Sequence, residues 1–120
     1  RVLMVEEGEI EPELRWKIAY VISKELKCPF CVDVTEKMLK KMGVGEKTLE
    51  RIEKKEESTE EAEVLDLVRD VTKDGHLDNP EIFKNLQGRI SDAQIVEIVS
   101  VIGFFNYINR FNNALGVLPE

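Results

Sequence analysis

The sequence predicts an all-α protein of five to six helices, forming one domain over residues 1–120. Apolar residues recur at three- and four-residue spacing through most of the chain, which is the period of a helix with one buried face. Helix-start and helix-stop residues separate these segments. No strand-like alternation follows residue 45. Finally, the only two cysteines stand together as Cys28-Pro29-Phe30-Cys31, and the proline places the start of a helix inside this motif.

The first half of the chain divides into three predicted helices after a short apolar lead at residues 2–5. Pro12 suits the first turn of a helix over residues 12–26, which should pack one face inward. A second helix begins at the cysteines and ends at Gly43, a residue suited to a helix C-cap. Residues 46–57 are mostly charged and predict an exposed helix.

The fourth helix is predicted to start at a capping box formed by Ser58 and Glu61. Its apolar positions recur at helical spacing until Gly75, which ends it. Asn79 and the proline after it are an N-cap and a first-turn residue, so they predict a short connecting helix that closes at Gly88.

The last predicted helix is the longest and the most apolar. Ser91, with Gln94 three residues on, forms the capping box that opens it, and Gly116 ends it. Apolar residues occupy most of its circumference, which predicts burial on several sides, including burial against another subunit. The chain is therefore expected to form a homo-oligomer.

Charge and composition exclude several classes of partner. Seventeen basic and twenty-four acidic residues give a net charge of -7, which repels nucleic acid and anionic lipid surfaces. No apolar run approaches the ~20 residues that span a bilayer. A recycling dithiol suits a reducing compartment, and the protein is predicted to be cytoplasmic.

The dithiol is the main candidate for chemistry. Free backbone N–H groups and the helix dipole favour an anion at a helix N-terminus, so a thiolate forms there at lower pH than in an isolated cysteine. A chain with two cysteines has no larger disulfide framework, and the single His76 does not complete a four-ligand zinc site. Redox catalysis by Cys28 and Cys31 is predicted, with no cofactor and no metal.

Two families share this motif. Residues 19–44 by themselves resemble a glutaredoxin, but that fold needs further strands and a cis-proline, and neither is found downstream. The whole sequence instead resembles the carboxymuconolactone decarboxylase and alkylhydroperoxidase D superfamily over residues 13–120. The resemblance is carried by residues 18–21 (IAYV), 28–33 (CPFCVD), 91–98 (SDAQIVEI) and 109–117 (NRFNNALGV).

The resemblance implies an all-helical fold and a peroxidase cycle. In that cycle Cys31 attacks a hydroperoxide, and Cys28 resolves the resulting sulfenic acid as a disulfide. The residues are compatible with this assignment, because a sulfenic acid reacts readily with a neighbouring thiol. The family also suggests trimers assembled into hexamers, and a lipoyl or thioredoxin-like reductant.

The chain departs from the family at its proton-handling positions. A glutamate and two histidines of the peroxidase motif are replaced here by Trp16, Phe30 and Thr35. Such a relay contributes about 10²–10⁴-fold to proton transfer, so turnover should be slow or differently organised. The alternative function is a non-catalytic member that binds a small molecule or serves as a scaffold. Lactone decarboxylation is less favoured, because it needs acid–base residues and makes no use of two thiols.

Two carboxylates are candidate replacements for the relay. Glu13 lies one turn before Trp16, although an acidic residue in a first turn more often complements the helix dipole. Glu97 lies among apolar neighbours, where a buried carboxylate has a partner, for instance Arg110 of a neighbouring subunit. Thr35 can donate a hydrogen bond to a sulfur atom or only shape a pocket.

Other conspicuous side chains have a structural explanation beside a functional one. Asn106, Asn109 and Asn113 share a helical face and suit a polar ligand, but an oligomer interface is favoured. Trp16 is either a pocket wall or a core residue. His76 is expected to be a solvated turn residue.

Overall fold

The computed structural model describes residues 10–56 and 59–119, apart from the side chains at positions 59 and 60. This part of the chain contains no strand, and its helices are α1 (Pro12–Glu25), α2 (Pro29–Lys41), α3 (Glu46–Glu53), α4 (Thr59–Asp74), α5 (Pro80–Gln87) and α6 (Asp92–Leu115). The predicted all-α fold with a Cys-x-x-Cys motif at a helix start is confirmed. The apolar lead at residues 2–5 and the predicted cap Ser58 lie outside the described residues.

Most of the predicted helix ends are found in the structure. Asn79 caps α5, since its side chain accepts a hydrogen bond from the Glu81 N–H. Ser91 and Gln94 form the full capping box of α6. In contrast, α3 ends at Glu53, four residues earlier than predicted.

Helix α1 is the centre of the fold and packs against α2, α3, α4 and α6. The prediction that it packs only one face inward is wrong, because Arg15 and Lys17 are buried too. The guanidinium of Arg15 lies 3.3 Å from the Glu97 carboxylate. The ammonium of Lys17 lies 2.7 Å from Glu61 and 2.9 Å from Glu13. These ion pairs let charged positions face the interior.

The connection between α1 and α2 contains only Leu26, Lys27 and Cys28. Lys27 has a left-handed backbone, with φ of 54°, and its N–H donates to the carbonyl of Lys24. The N–H of Cys28 donates to the carbonyl of Ser23 at 3.1 Å. This pair of hydrogen bonds is the Schellman arrangement that closes a helix C-terminus. Because of this turn, the chain passes directly from the buried end of α1 to the Cys-x-x-Cys motif.

Helix α6 has two different faces. Its inner face packs on the core through Ile95, Ile98, Val101, Ile102 and Phe105. Its outer face carries exposed apolar side chains, here called the apolar stripe: Val96, Val99, Phe104, Tyr107, Phe111 and Leu115. Within one chain, therefore, α6 is buried on one side, and the predicted burial on several sides is not reached. No helix in the described part of the chain has the length and hydropathy needed to cross a bilayer.

Tyr20 makes the stability of this fold sensitive to alkaline pH. Burial raises the pKa of Tyr20 to about 12, and the charges of Glu53, Glu36 and Glu46 add to the effect. In the unfolded chain a tyrosine ionises near pH 10. As pH rises from 10 to 12 the unfolded state therefore loses this proton before the folded state does, and the free energy of unfolding falls.

We expect this loss to reach about 1 kcal/mol at pH 11 relative to pH 9. A Tyr20→Phe variant removes the ionisable hydroxyl and should lose less stability over the same interval. Urea denaturation at both pH values measures the difference. Tyr107→Phe, at an exposed tyrosine, is the matched control and should behave like the wild type. An equal loss in Tyr20→Phe and in the wild type would contradict the assignment.

Candidate functional site

Cys28 and Cys31 form a disulfide at the start of α2, with their Cα atoms 5.2 Å apart. Cys28 is the N-cap residue, and its sulfur accepts a hydrogen bond from the backbone N–H of Cys31 at 3.3 Å. Pro29 occupies the first helical position. Cys28 is completely buried, whereas Cys31 retains 5% exposure. The two sulfur atoms are thus bonded to each other but have different surroundings.

A cavity of about 280 Å³ lies beside Cys31, between α1, α2 and α6, and is here called the dithiol cavity. Its walls are predominantly apolar, and Cys28 is not one of them. The lining residues are Trp16 and Ser23 from α1, Phe30, Cys31, Val34 and Thr35 from α2, and Phe104, Phe105, Ile108, Asn109 and Asn112 from α6. The cavity gives a solute access to Cys31 and not to Cys28.

Two amides of α6 supply polar groups to the dithiol cavity. The Nδ2 atom of Asn112 donates to the Cys31 sulfur at 3.5 Å. The Nδ2 atom of Asn109 donates to the carbonyl of Phe105 at 2.7 Å. The Oδ1 atom of Asn109 is buried and has no hydrogen-bond partner among the described residues. The serine of the cavity, Ser23, directs its hydroxyl to the carbonyl of Ala19 at 2.7 Å.

All three positions that the family resemblance assigns to the proton relay line the dithiol cavity. Trp16 packs against Phe105 there, with ring centroids 5.8 Å apart, so the tryptophan is a wall of the cavity. The hydroxyl of Thr35 lies 2.8 Å from the carbonyl of Cys31, so it bonds to backbone rather than to a sulfur atom. Apart from Cys31, none of the described residues that line the cavity has an acidic or basic side chain.

Neither carboxylate that was considered as a replacement lies at the cavity. Glu13 is half exposed and pairs with Lys17. Glu97 is buried, and it accepts hydrogen bonds from the Ile10 N–H at 2.9 Å and from Arg15 at 3.3 Å. Glu97 thus has the structural pairing that was considered for it, and its partner within the chain is Arg15 rather than Arg110, which donates to the carbonyl of Thr72. Glu97 has a structural role at the N-terminal end of α1.

The remaining candidates also find their contacts within the chain. Asn106 donates to the hydroxyl of Thr72 at 3.1 Å, and Asn113 donates to the carbonyl of Leu26 at 2.9 Å. Asn109 lines the dithiol cavity, and the favoured interface role of these asparagines stays a prediction. His76 is exposed and lies 2.8 Å from Asp78. Among the described residues, no group of three or more His, Cys, Asp or Glu side chains is placed so that it could hold a metal ion.

Sequence analysis missed Asn112, the residue that contacts the Cys31 sulfur. The sequence does hold a signal for this residue, because helical spacing places four cavity residues on one face of α6: Phe105, Ile108, Asn109 and Asn112. The sequence does not reveal that this face meets the start of α2, because the contact joins residues 81 positions apart.

The fold and the site define a class: all-helical proteins in which a Cys-x-x-Cys pair opens a helix beside an apolar cavity. No protein-family model and no curated protein sequence matches the chain. Several solved structures, in contrast, match the chain. A peroxidase-related protein from Silicibacter sp. TM1040 is 23% identical over 98% of this chain and 64% of its own, with a TM-score of 0.87.

The debrominase Bmp8 is also 23% identical, over 92% of this chain and 62% of its own, with a TM-score of 0.80. A cysteine-to-alanine variant of Bmp8, solved in complex with 2,3,4-tribromopyrrole, matches equally well. The chain thus spans less than two thirds of the length of these structures. At this identity the likeness shows a shared fold, one that agrees with the superfamily resemblance of the sequence.

The different surroundings of the two sulfur atoms predict different reactivities after reduction. We expect limiting iodoacetamide to modify Cys31 several-fold faster than Cys28, because only Cys31 lines the dithiol cavity. Mass spectrometry of the peptides at successive times measures both rates. Denatured protein is the control and should show no such difference. Faster modification of Cys28 in the folded protein would contradict the assignment.

Proposed function

We propose that the protein is a thiol-dependent oxidoreductase that reduces hydroperoxides through a dithiol–disulfide cycle. Cys31 attacks the substrate, and Cys28 resolves the intermediate. One observation carries the proposal: Cys31 lines an apolar cavity, while the sulfur bonded to it belongs to the fully buried Cys28. A substrate in that cavity meets the attacking sulfur, and the resolving sulfur waits behind it.

The cycle balances with two electrons. The Cys31 thiolate forms a sulfur–oxygen bond to the terminal oxygen of the hydroperoxide, the oxygen–oxygen bond breaks, and the departing alkoxide takes a proton to leave as an alcohol. The Cys28 thiol then attacks the Cys31 sulfenic acid, and water leaves as the disulfide forms. An external dithiol, of lipoyl or thioredoxin-like chemistry, returns two electrons and two protons through thiol–disulfide exchange. A reducing, cytoplasmic location fits such a reductant.

The walls of the dithiol cavity determine how protons move in this cycle. With Trp16, Phe30 and Thr35 at the relay positions, no side chain there takes the proton of Cys31 or returns one to the alkoxide. The helix N-terminus and the Asn112 amide favour the thiolate instead. We propose that protons come from solvent and that turnover is slower than with a relay, by up to about 10²–10⁴-fold.

The same walls favour a second candidate, a non-catalytic protein that binds a small molecule in the dithiol cavity. An apolar cavity without a proton relay suits binding as well as it suits slow chemistry. The debrominase among the structural neighbours adds halogenated aromatic compounds to the ligands and substrates worth assaying.

Replacement of the attacking sulfur separates the two candidates. We expect Cys31→Ser to abolish the consumption of cumene hydroperoxide, since no thiol remains at the cavity. Cys28→Ser should complete the first step only and accumulate a Cys31 sulfenic acid, which dimedone traps for mass spectrometry. Peroxide consumption with an excess of dithiothreitol measures the activity of the wild type and Cys31→Ser, whereas the dimedone trap is applied to Cys28→Ser without added thiol. Circular dichroism checks that both variants are folded.

Retained activity in folded Cys31→Ser would refute the roles assigned to the two cysteines. A wild-type protein that consumes no hydroperoxide, forms no disulfide and still binds cumene-sized molecules would favour the non-catalytic candidate.

We also propose that the apolar stripe of α6 is covered by another copy of this chain, in a trimer or a hexamer. A contiguous exposed apolar face marks an interaction surface, and Tyr107, Phe111 and Leu115 are each more than half exposed. Phe104 belongs both to the apolar stripe and to the dithiol cavity. Association along the stripe would therefore place the neighbouring copy against the part of the cavity wall that Phe104 forms.

Light scattering coupled to size-exclusion chromatography tests this assembly. We expect a trimer or a hexamer for the wild type, and a smaller species for Tyr107→Lys combined with Phe111→Lys, because two buried charges oppose the contact. A control variant, Lys37→Glu, changes the charge at an exposed position of α2 and should leave the assembly unchanged. A monomeric wild type at micromolar concentration would contradict the proposal.

A further inference from the structure

We infer that Asn109 is a substrate-binding residue whose Oδ1 atom accepts a hydrogen bond from an O–H group held beside Cys31. This role deepens the proposed function, on which its redox part rests, by naming the residue that would bind the O–H group of a small, largely apolar organic hydroperoxide.

The first argument is the unused acceptor. Asn109 has 0% exposure, yet it lines the dithiol cavity. Its Nδ2 atom donates to the Phe105 carbonyl, which fixes which end of the amide remains for the cavity. The Oδ1 atom has no partner among the described residues. Buried polar atoms nearly always have a hydrogen-bond partner, so this one indicates a ligand with a donor.

The second argument is the size and character of the cavity. A dry apolar cavity of about 150 Å³ holds benzene, so about 280 Å³ accommodates one ring with a short substituent. Aromatic walls from Trp16, Phe30, Phe104 and Phe105 suit an apolar body. Hydrogen peroxide has no such body and would leave these walls uncovered.

The third argument is the arrangement of polar groups on α6. Asn109 offers an acceptor, and Asn112, three residues on, donates to the Cys31 sulfur. An organic hydroperoxide carries one O–H donor, on the terminal oxygen that Cys31 attacks in the proposed cycle. Accepting this hydrogen bond would place the reacting oxygen towards the cysteine, while the apolar part of the molecule fills the cavity. A hydrocarbon of the same shape would leave Oδ1 unpaired.

Two unreactive molecules of nearly equal shape test this inference on the oxidised protein. These are 2-phenyl-2-propanol, which mimics cumene hydroperoxide and has one O–H donor, and tert-butylbenzene, which has a methyl group in its place. Trp16 is the only tryptophan and lines the cavity, so its indole N–H signal in NMR titrations reports binding of both. The ratio of the two dissociation constants is the quantity compared between variants, because it cancels general effects on the cavity.

We expect Asn109→Leu to weaken the binding of the alcohol about tenfold relative to the binding of the hydrocarbon. This is the effect of losing one buried hydrogen bond. Asn106→Leu, at an asparagine of α6 that does not line the cavity, is the matched control and should keep the wild-type ratio. A crystal structure of the wild type with 2-phenyl-2-propanol gives a second readout that needs no variant. It should show the hydroxyl oxygen about 3 Å from Oδ1 of Asn109.

The inference is overturned if the ratio is the same in Asn109→Leu and the wild type, if neither molecule perturbs Trp16, or if the alcohol binds away from Asn109. These measurements involve no turnover. A protein without peroxidase activity that shows the tenfold change would refute the proposed function and keep the binding role of Asn109. An active peroxidase with an unchanged ratio would support the proposed function and refute the binding role of Asn109.

Discussion

The position of the dithiol depends on the turn between α1 and α2. Helix α1 is held on several sides by the core, and the turn after it leaves Cys28 bonded to the carbonyl of Ser23. From there Pro29 starts α2 at once, and Cys31 follows one turn later. The more buried end of the Cys-x-x-Cys motif is thereby anchored to the buried end of α1, while its other end faces the dithiol cavity.

Local sequence signals predicted much of this arrangement. Capping residues such as Ser91 and first-turn prolines such as Pro29 act over a few residues, so they can be recognised in the sequence without a structure. The burial of Arg15 on α1 was not predicted, because its partner Glu97 lies 82 positions away. The role of Asn112 was missed for the same reason. Contacts between residues far apart in the sequence decide which sides of a helix are buried. The spacing of apolar residues alone does not reveal these contacts.

The dithiol cavity contains Cys31 but has no proton carrier at the three positions where the family resemblance expects one, which are Trp16, Phe30 and Thr35. Trp16 and Phe30 make the surroundings drier, which strengthens the remaining polar contacts of Asn109 and Asn112. Under the proposed function, such a site trades fast proton transfer for close contact with an apolar substrate. The proposed redox centre lies on α2, and the proposed substrate contacts lie mainly on α6.

The central claim is that a molecule in the dithiol cavity oxidises Cys31 and that Cys28 closes the bridge. Rapid mixing of the fully reduced protein with cumene hydroperoxide tests it most directly, because the only tryptophan, Trp16, lies in the same cavity. The account predicts a tryptophan fluorescence change whose rate rises with hydroperoxide concentration, accompanied by the loss of two thiols per chain. Two free thiols that persist in excess hydroperoxide, with unchanged fluorescence, would contradict it.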